Sequence, residues 1–130
     1  MVYGVVNSRC EAILPLAISN SKGKPELIDT IIDTGFSGFL SLLSATIATL
    51  ETIATLELPW SASNIATLGD GSETLFDLYT ATVIWDGQYR EIYVAESETE
   101  PLIGMALLYG YQLQINAVEG GSVQVRSLQS

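Results

Sequence analysis

Apolar positions fall mostly in short runs, many alternating with polar ones and separated by glycine, proline, asparagine or aspartate. This is the pattern of strands joined by tight turns. Val2 to Val6 forms a first apolar strand and Glu11 to Ile18 a second, with Pro15 suggesting an edge or a bulge. Asn20 to Pro25 has turn composition, and Glu26 to Ile32 returns as a third strand that ends on Asp33. Phe39, Leu40, Leu42 and Leu43 then read as a strand-like exit. From Ser44 to Leu58 the spacing changes. Ile47, Leu50, Ile53, Ala54 and Leu58 recur at helical intervals, with Ser44 placed to cap and Pro59 to stop. This stretch holds the near-copies Ile47-Ala48-Thr49-Leu50 and Ile53-Ala54-Thr55-Leu56, and Ile65-Ala66-Thr67-Leu68 follows at unequal spacing. They read as a local duplication, since a solenoid needs a fixed period.

Leu68-Gly69-Asp70-Gly71-Ser72 is the sharpest turn signal. Between Asn64–Thr67 and Glu73–Phe76 it predicts a glycine-tipped hairpin. Leu75 to Trp85 reads as a long strand alternating around Leu78, Thr80, Thr82 and Ile84. Asp86-Gly87 turns it into a partner from Gln88 to Ala95. Glu96 to Glu100 reads as an exposed acidic loop. Pro101 to Gly104 is a short buried strand, and Met105 to Tyr109 suits one or two helical turns stopped by Gly110. Tyr111 to Ile115 and Ser122 to Val125 close the chain as a hairpin turned at Glu119-Gly120-Gly121. The whole is mainly β with one or two short helices, and such closely spaced strands predict a closed barrel or sandwich.

Composition narrows the function. The 130 residues, 48% of them hydrophobic, suit one domain spanning residues 1–130, and a mean hydropathy of +0.33 argues against global disorder. Fifteen acidic residues against five basic ones give a net charge of −10, and Arg9, Lys22, Lys24, Arg90 and Arg126 are scattered. Such a field repels phosphate, so nucleic acid is not an expected partner. Histidine is absent and Cys10 is the one cysteine, which excludes His-based triads and the usual zinc sites. Cys10 has no base beside it to make it a nucleophile. No metal or cofactor is expected: Asp70, Glu73 and Asp77 lack the spacing of an EF-hand. No leader-like start and no apolar stretch of about 18 residues stands out. The expectation is a cytoplasmic protein with no membrane partner.

The chemistry left is that of carboxylates. Ile31-Ile32-Asp33-Thr34-Gly35 drives an apolar strand into an acid, where a buried carboxylate is costly unless hydrogen-bonded. An ordinary strand followed by an Asp/Gly turn gives the same tripeptide. A wider pattern separates the two readings. Asp33-Thr34-Gly35-Phe36-Ser37, the glycine-tipped hairpin, and Leu102-Ile103-Gly104-Met105 with a short helix behind it occur in one order along nearly the whole chain. In that order the chain resembles the retropepsin-like aspartic proteases, the single-lobe branch of the pepsin clan. It departs from the minimal family pattern in the longer segment Ser44–Trp60 and in Met105, where viral members carry arginine.

The resemblance implies a retropepsin-like closed barrel and an aspartic endopeptidase acting on peptide or protein substrates without cofactor. One chain carries one such aspartate, while hydrolysis needs two carboxylates, so the resemblance implies a two-fold homodimer. Asp33 would be the catalytic carboxylate and Thr34 would bond across the subunits. Gly35 would bring its N–H to the carboxylate, and Ser37 would orient its outer oxygen. Gly69, Asp70 and Gly71 would tip a flap over the substrate, and Ile115 with Val123 to Leu128 would supply interface strands. A retropepsin-fold dimerisation or peptide-binding module with weak or no proteolysis is the alternative, since fold does not grant activity.

Overall fold

The computed structural model describes residues 1–19, 25–49, 64–67, 73–76 and 78–129. Its strands are β1 (Val2–Val6), β2 (Ala12–Ser19), β3 (Pro25–Ile32), β4 (Leu40–Leu43), β5 (Asn64–Thr67), β6 (Glu73–Phe76), β7 (Leu78–Trp85), β8 (Gln88–Ser97), β9 (Leu102–Ile103), β10 (Tyr111–Ile115) and β11 (Ser122–Ser127). Two short helices, α1 (Ser44–Thr49) and α2 (Met105–Leu108), complete the described elements. The protein is mainly β, as its alternation requires. Nine strands share one sheet in the order β10-β11-β1-β2-β3-β9-β4-β8-β7, and β7 pairs again with β2. β5 and β6 form a separate antiparallel pair.

Local chemistry accounts for the hairpins. Asp86 and Gly87 both adopt positive φ (52° and 78°), the geometry that matches the twist of β7 and β8. β2 lies within the sheet, and Pro15 has Asp29 of β3 opposite it on one side. On its other side β2 pairs with β1 at Ala12 and Ile13 and with β7 at Ala17 and Ile18. Pro15 falls between these two partners, where a missing N–H breaks no ladder bond.

The inward face of β7 is Tyr79, Ala81, Val83 and Trp85, all buried, while Thr80, Thr82 and Ile84 are only half-buried. The set carrying two hydroxyls thus turns away from the core. β8 runs to Ser97, two residues beyond the expected strand, because β4 pairs with it in parallel at Glu96 and Ser97. Ser44 is the first helical residue of α1, and its hydroxyl donates to Glu98 Oε1 (2.7 Å), tying α1 to the acidic loop. The rest of the expected helix, from residue 50 on, lies outside the described residues, as do the turns at 20–24 and 68–72.

Leu14, Leu16 and Ile18 of β2 meet Leu40 and Leu42 of β4, Val83 and Val94 of the long hairpin, Ile103 and Leu107 in one core. Burying each such side chain contributes about 1.5–3 kcal/mol. Among the described residues Thr30 and Ser41 are the buried polar ones, Thr30 fully so. The Thr30 hydroxyl donates to the carbonyl of Leu14 (2.6 Å), its register partner on β2. Thr30→Val keeps the volume and removes the donor, so it should cost about 1 kcal/mol, read from the denaturant midpoint at unchanged slope.

Candidate active site

Asp33 sits where β3 stops, and the stop is built by a distant segment. β9 inserts between β3 and β4. Leu102 and Ile103 pair in parallel with Ile31 and Ile32, and on the other side in antiparallel fashion with Ser41 and Leu40. A parallel neighbour brought from so far along the chain fixes the direction in which β3 delivers its last residue. The Asp33 N–H donates to Ile103 O (2.9 Å) and the Ile31 N–H to Pro101 O (2.9 Å).

The loop from Asp33 to Phe39 is then held along its length. Gly104 N–H donates to Phe39 O (3.1 Å), Met105 N–H to Phe36 O (2.8 Å) and Ala106 N–H to Gly38 O (3.1 Å). The start of α2 is therefore strapped to the back of the loop. Gly104 is indispensable to this contact. A Cβ there would stand 2.2 Å from Gly38 O, 2.6 Å from Phe36 O and 2.5 Å from the Phe36 ring. A Cβ on Gly38 would meet the same ring at 2.5 Å. The ring of Phe36 thus fills a slot between two residues that lack side chains.

At the front, Asp33 is half-buried and Thr34, Gly35 and Ser37 are exposed. Gly35 N–H donates to Asp33 Oδ1 (2.9 Å), and Phe36 N–H returns to Asp33 O (3.1 Å), so the carboxylate is oriented by its own turn. These four predicted residues share one loop. Gly69, Asp70 and Gly71 lie outside the described residues, although the arms of their hairpin pair from Asn64↔Phe76 to Thr67↔Glu73.

The sequence reading missed a hollow beside the end of β3. Asn7 organises the turn between β1 and β2: its Oδ1 accepts the N–H groups of Arg9 and Glu11 (both 3.0 Å), and its Nδ2 donates to Glu11 Oε1 (2.8 Å). The turn borders a hollow of about 500 Å³ shared with Ile31, Ile32, Ile115 and Val118. An asparagine with a hydrogen-bonding partner four residues on was the available signal.

The arrangement defines a class of fold before any function. A mainly β chain presents an aspartate on a loop clamped by a returning strand, a glycine and a short helix. No protein-family model matches the sequence, and no curated protein matches it. Among solved structures it is similar to a retropepsin-like aspartic protease from Rickettsia conorii. The TM-score is 0.54 at 14% identity, covering 94% of this chain and 87% of that one. The fold is thus similar to the retropepsin-like one. No helix among the described residues is long and apolar enough to cross a membrane.

Proposed function

We propose that this chain is a cytoplasmic homodimeric aspartic endopeptidase with water activated between the Asp33 carboxylates of two copies. The observation that carries the reading is the placement of Asp33. It is half-buried at the end of a core strand, with Oδ1 fixed by the Gly35 N–H and the loop strapped from behind by Gly104 to Ala106. The fold likeness supports a closed barrel, as does the second pairing of β7 with β2, which returns the sheet upon itself. Residues 1–130 would form one such domain.

Two carboxylates about 3 Å apart share a single proton, and that supplies both functions the reaction needs. The ionised one takes a proton from water as the oxygen attacks the peptide carbonyl carbon. The protonated one gives its proton to the carbonyl oxygen. Collapse of the tetrahedral intermediate then breaks the C–N bond, with the amine leaving protonated. In the dimer Thr34 would bond across the two loops and Ser37 would orient the outer carboxylate oxygen. The hairpin tipped by Gly69, Asp70 and Gly71 would cover an extended peptide and exclude water.

One chain supplies one carboxylate, so specific activity should depend on association. Dilution through the dimer dissociation range should lower hydrolysis of a peptide library per mole of chain. Activity per chain that stays constant while the mass falls to that of a monomer would remove the proposal. A dimer that binds peptides and cleaves none would establish the non-catalytic alternative.

A further inference from the structure

The Asp33 loop is tied by main-chain bonds, and one side chain decides where those bonds stand. Between β3 and β4 the chain exposes Thr34, Gly35 and Ser37, while the bulky Phe36 is half-buried. Phe36 is bonded on both sides of its backbone. Its N–H donates to Asp33 O (3.1 Å), which closes a β-turn with Thr34 and Gly35 at the centre. Its C=O accepts the Met105 N–H (2.8 Å) from the start of α2. Among the described residues the Asp33 carboxylate accepts one hydrogen bond, from the Gly35 N–H inside that turn (2.9 Å). Movement of residue 36 therefore opens the turn and swings the carboxylate.

The Phe36 ring sets the place of residue 36 by touching two glycines at different points. A Cβ on Gly104 would stand 2.5 Å from ring atom Cδ2, and one on Gly38 would stand 2.5 Å from Cζ and 2.7 Å from Cε1. One end of a rigid plate thus rests on Gly104 and the other on Gly38, which fixes its tilt as well as its depth. Backbone conformation explains neither glycine. Gly104 has φ −107° and ψ −179°, which any residue adopts, and Gly38 is not among the glycines with positive φ. Space explains both, in different ways. At Gly104 the added Cβ would also meet Gly38 O and Phe36 O, whereas at Gly38 the three nearest atoms all belong to the Phe36 ring. Gly38 is glycine on account of the ring.

The structure assigns Phe36 as a positioning residue for Asp33. Its ring, seated on Gly38 and Gly104, holds the turn closed and so sets the direction of the carboxylate. The effect on catalysis rests on the function proposed above, while the effect on the loop does not. An aromatic ring suits the task, since two rotatable bonds and a fixed plane leave little freedom once both ends are in contact. Leucine would fill much of the same volume without reaching the points where Cζ and Cε1 meet Gly38. The loop would then keep its apolar contact and lose its fixed tilt.

Phe36→Leu and Gly38→Ala, made singly and together in the full chain, test this. Gly38→Ala alone should lower the denaturant midpoint, because its methyl is driven into the ring, and should lower it far less in the Phe36→Leu background. In Phe36→Leu the amides of residues 36 and 105 should exchange about 10-fold faster than in wild type, a larger change than in the amides of β7. Its kcat for peptide hydrolysis should fall about 10²-fold with KM changed by less than about twofold. Gly87→Ala, which strains a turn away from the loop, should keep the wild-type kcat. Equal costs of Gly38→Ala in the two backgrounds, or amides 36 and 105 that change no more than those of β7, would overturn the ring as the holder of the loop. An Asp33-dependent peptidase in which Phe36→Leu keeps the wild-type kcat would overturn its effect on the carboxylate. Wild type that cleaves nothing, or cleaves as well after Asp33→Asn, removes the peptidase instead, and the midpoints and amide exchange then decide the role of the ring on their own.

Discussion

Asp33→Asn should abolish peptide hydrolysis, by roughly 10³-fold or more, while the protein stays folded and dimeric. The amide keeps an oxygen where Asp33 Oδ1 now accepts the Gly35 N–H at 2.9 Å, so the turn loses no hydrogen bond. The strapping behind it is main chain to main chain and does not involve the side chain. Stability should therefore change by no more than about 1 kcal/mol. What the amide cannot do is take a proton from water or return one to the carbonyl. Two facing asparagines can still hydrogen-bond, amide to carbonyl oxygen, where the carboxylates would share a proton, so association should be unweakened. Hydrolysis rate, melting temperature and sedimentation, measured on one preparation, check the three parts. Activity close to wild type would assign the chemistry elsewhere.

Gly104→Ala should cost about 3 kcal/mol, and hydrolysis should be lost with it. The added methyl would be driven to within 2.2 Å of Gly38 O and 2.6 Å of Phe36 O, and neither backbone oxygen can swing away as a side chain would. Relief requires β9 and α2 to move back from the loop, which lengthens the bonds from Gly104, Met105 and Ala106 that hold it. Gly87→Ala makes the comparison. That residue has positive φ (78°) but open space around it, so conformational strain alone should cost roughly 1–2 kcal/mol with no effect on the site. Denaturant midpoints of the two variants should separate. Equal midpoints would mean the strap behind Asp33 is softer than described.

Much of this was legible in the chain because the signals were local. Asp86-Gly87, Gly110 and the alternation of Tyr111 to Ile115 fixed their turns and strands through backbone preference, and the structure keeps them. Asp33 itself stood out because an apolar strand ran into an acid and a glycine. What stayed hidden depends on partners far away in sequence. Nothing near Pro15 indicates that β2 changes neighbours there, nor does β7 alone show which face the core will take. The slot for Phe36 joins Gly38 to Gly104, which meet only once β9 has entered between β3 and β4. Ser44 reads as a cap from its neighbours, and nothing near it in sequence shows that its hydroxyl also reaches Glu98.

The central claim is that each chain carries half of one catalytic site. Mixing wild type with Asp33→Asn protein, after exchange of subunits, tests it most directly. If two copies of Asp33 share one reaction, mixed dimers are inactive and activity follows the square of the wild-type fraction, falling to about one quarter at an equal mixture. A decline in simple proportion, to about one half, would mean that each chain works alone and would contradict the account.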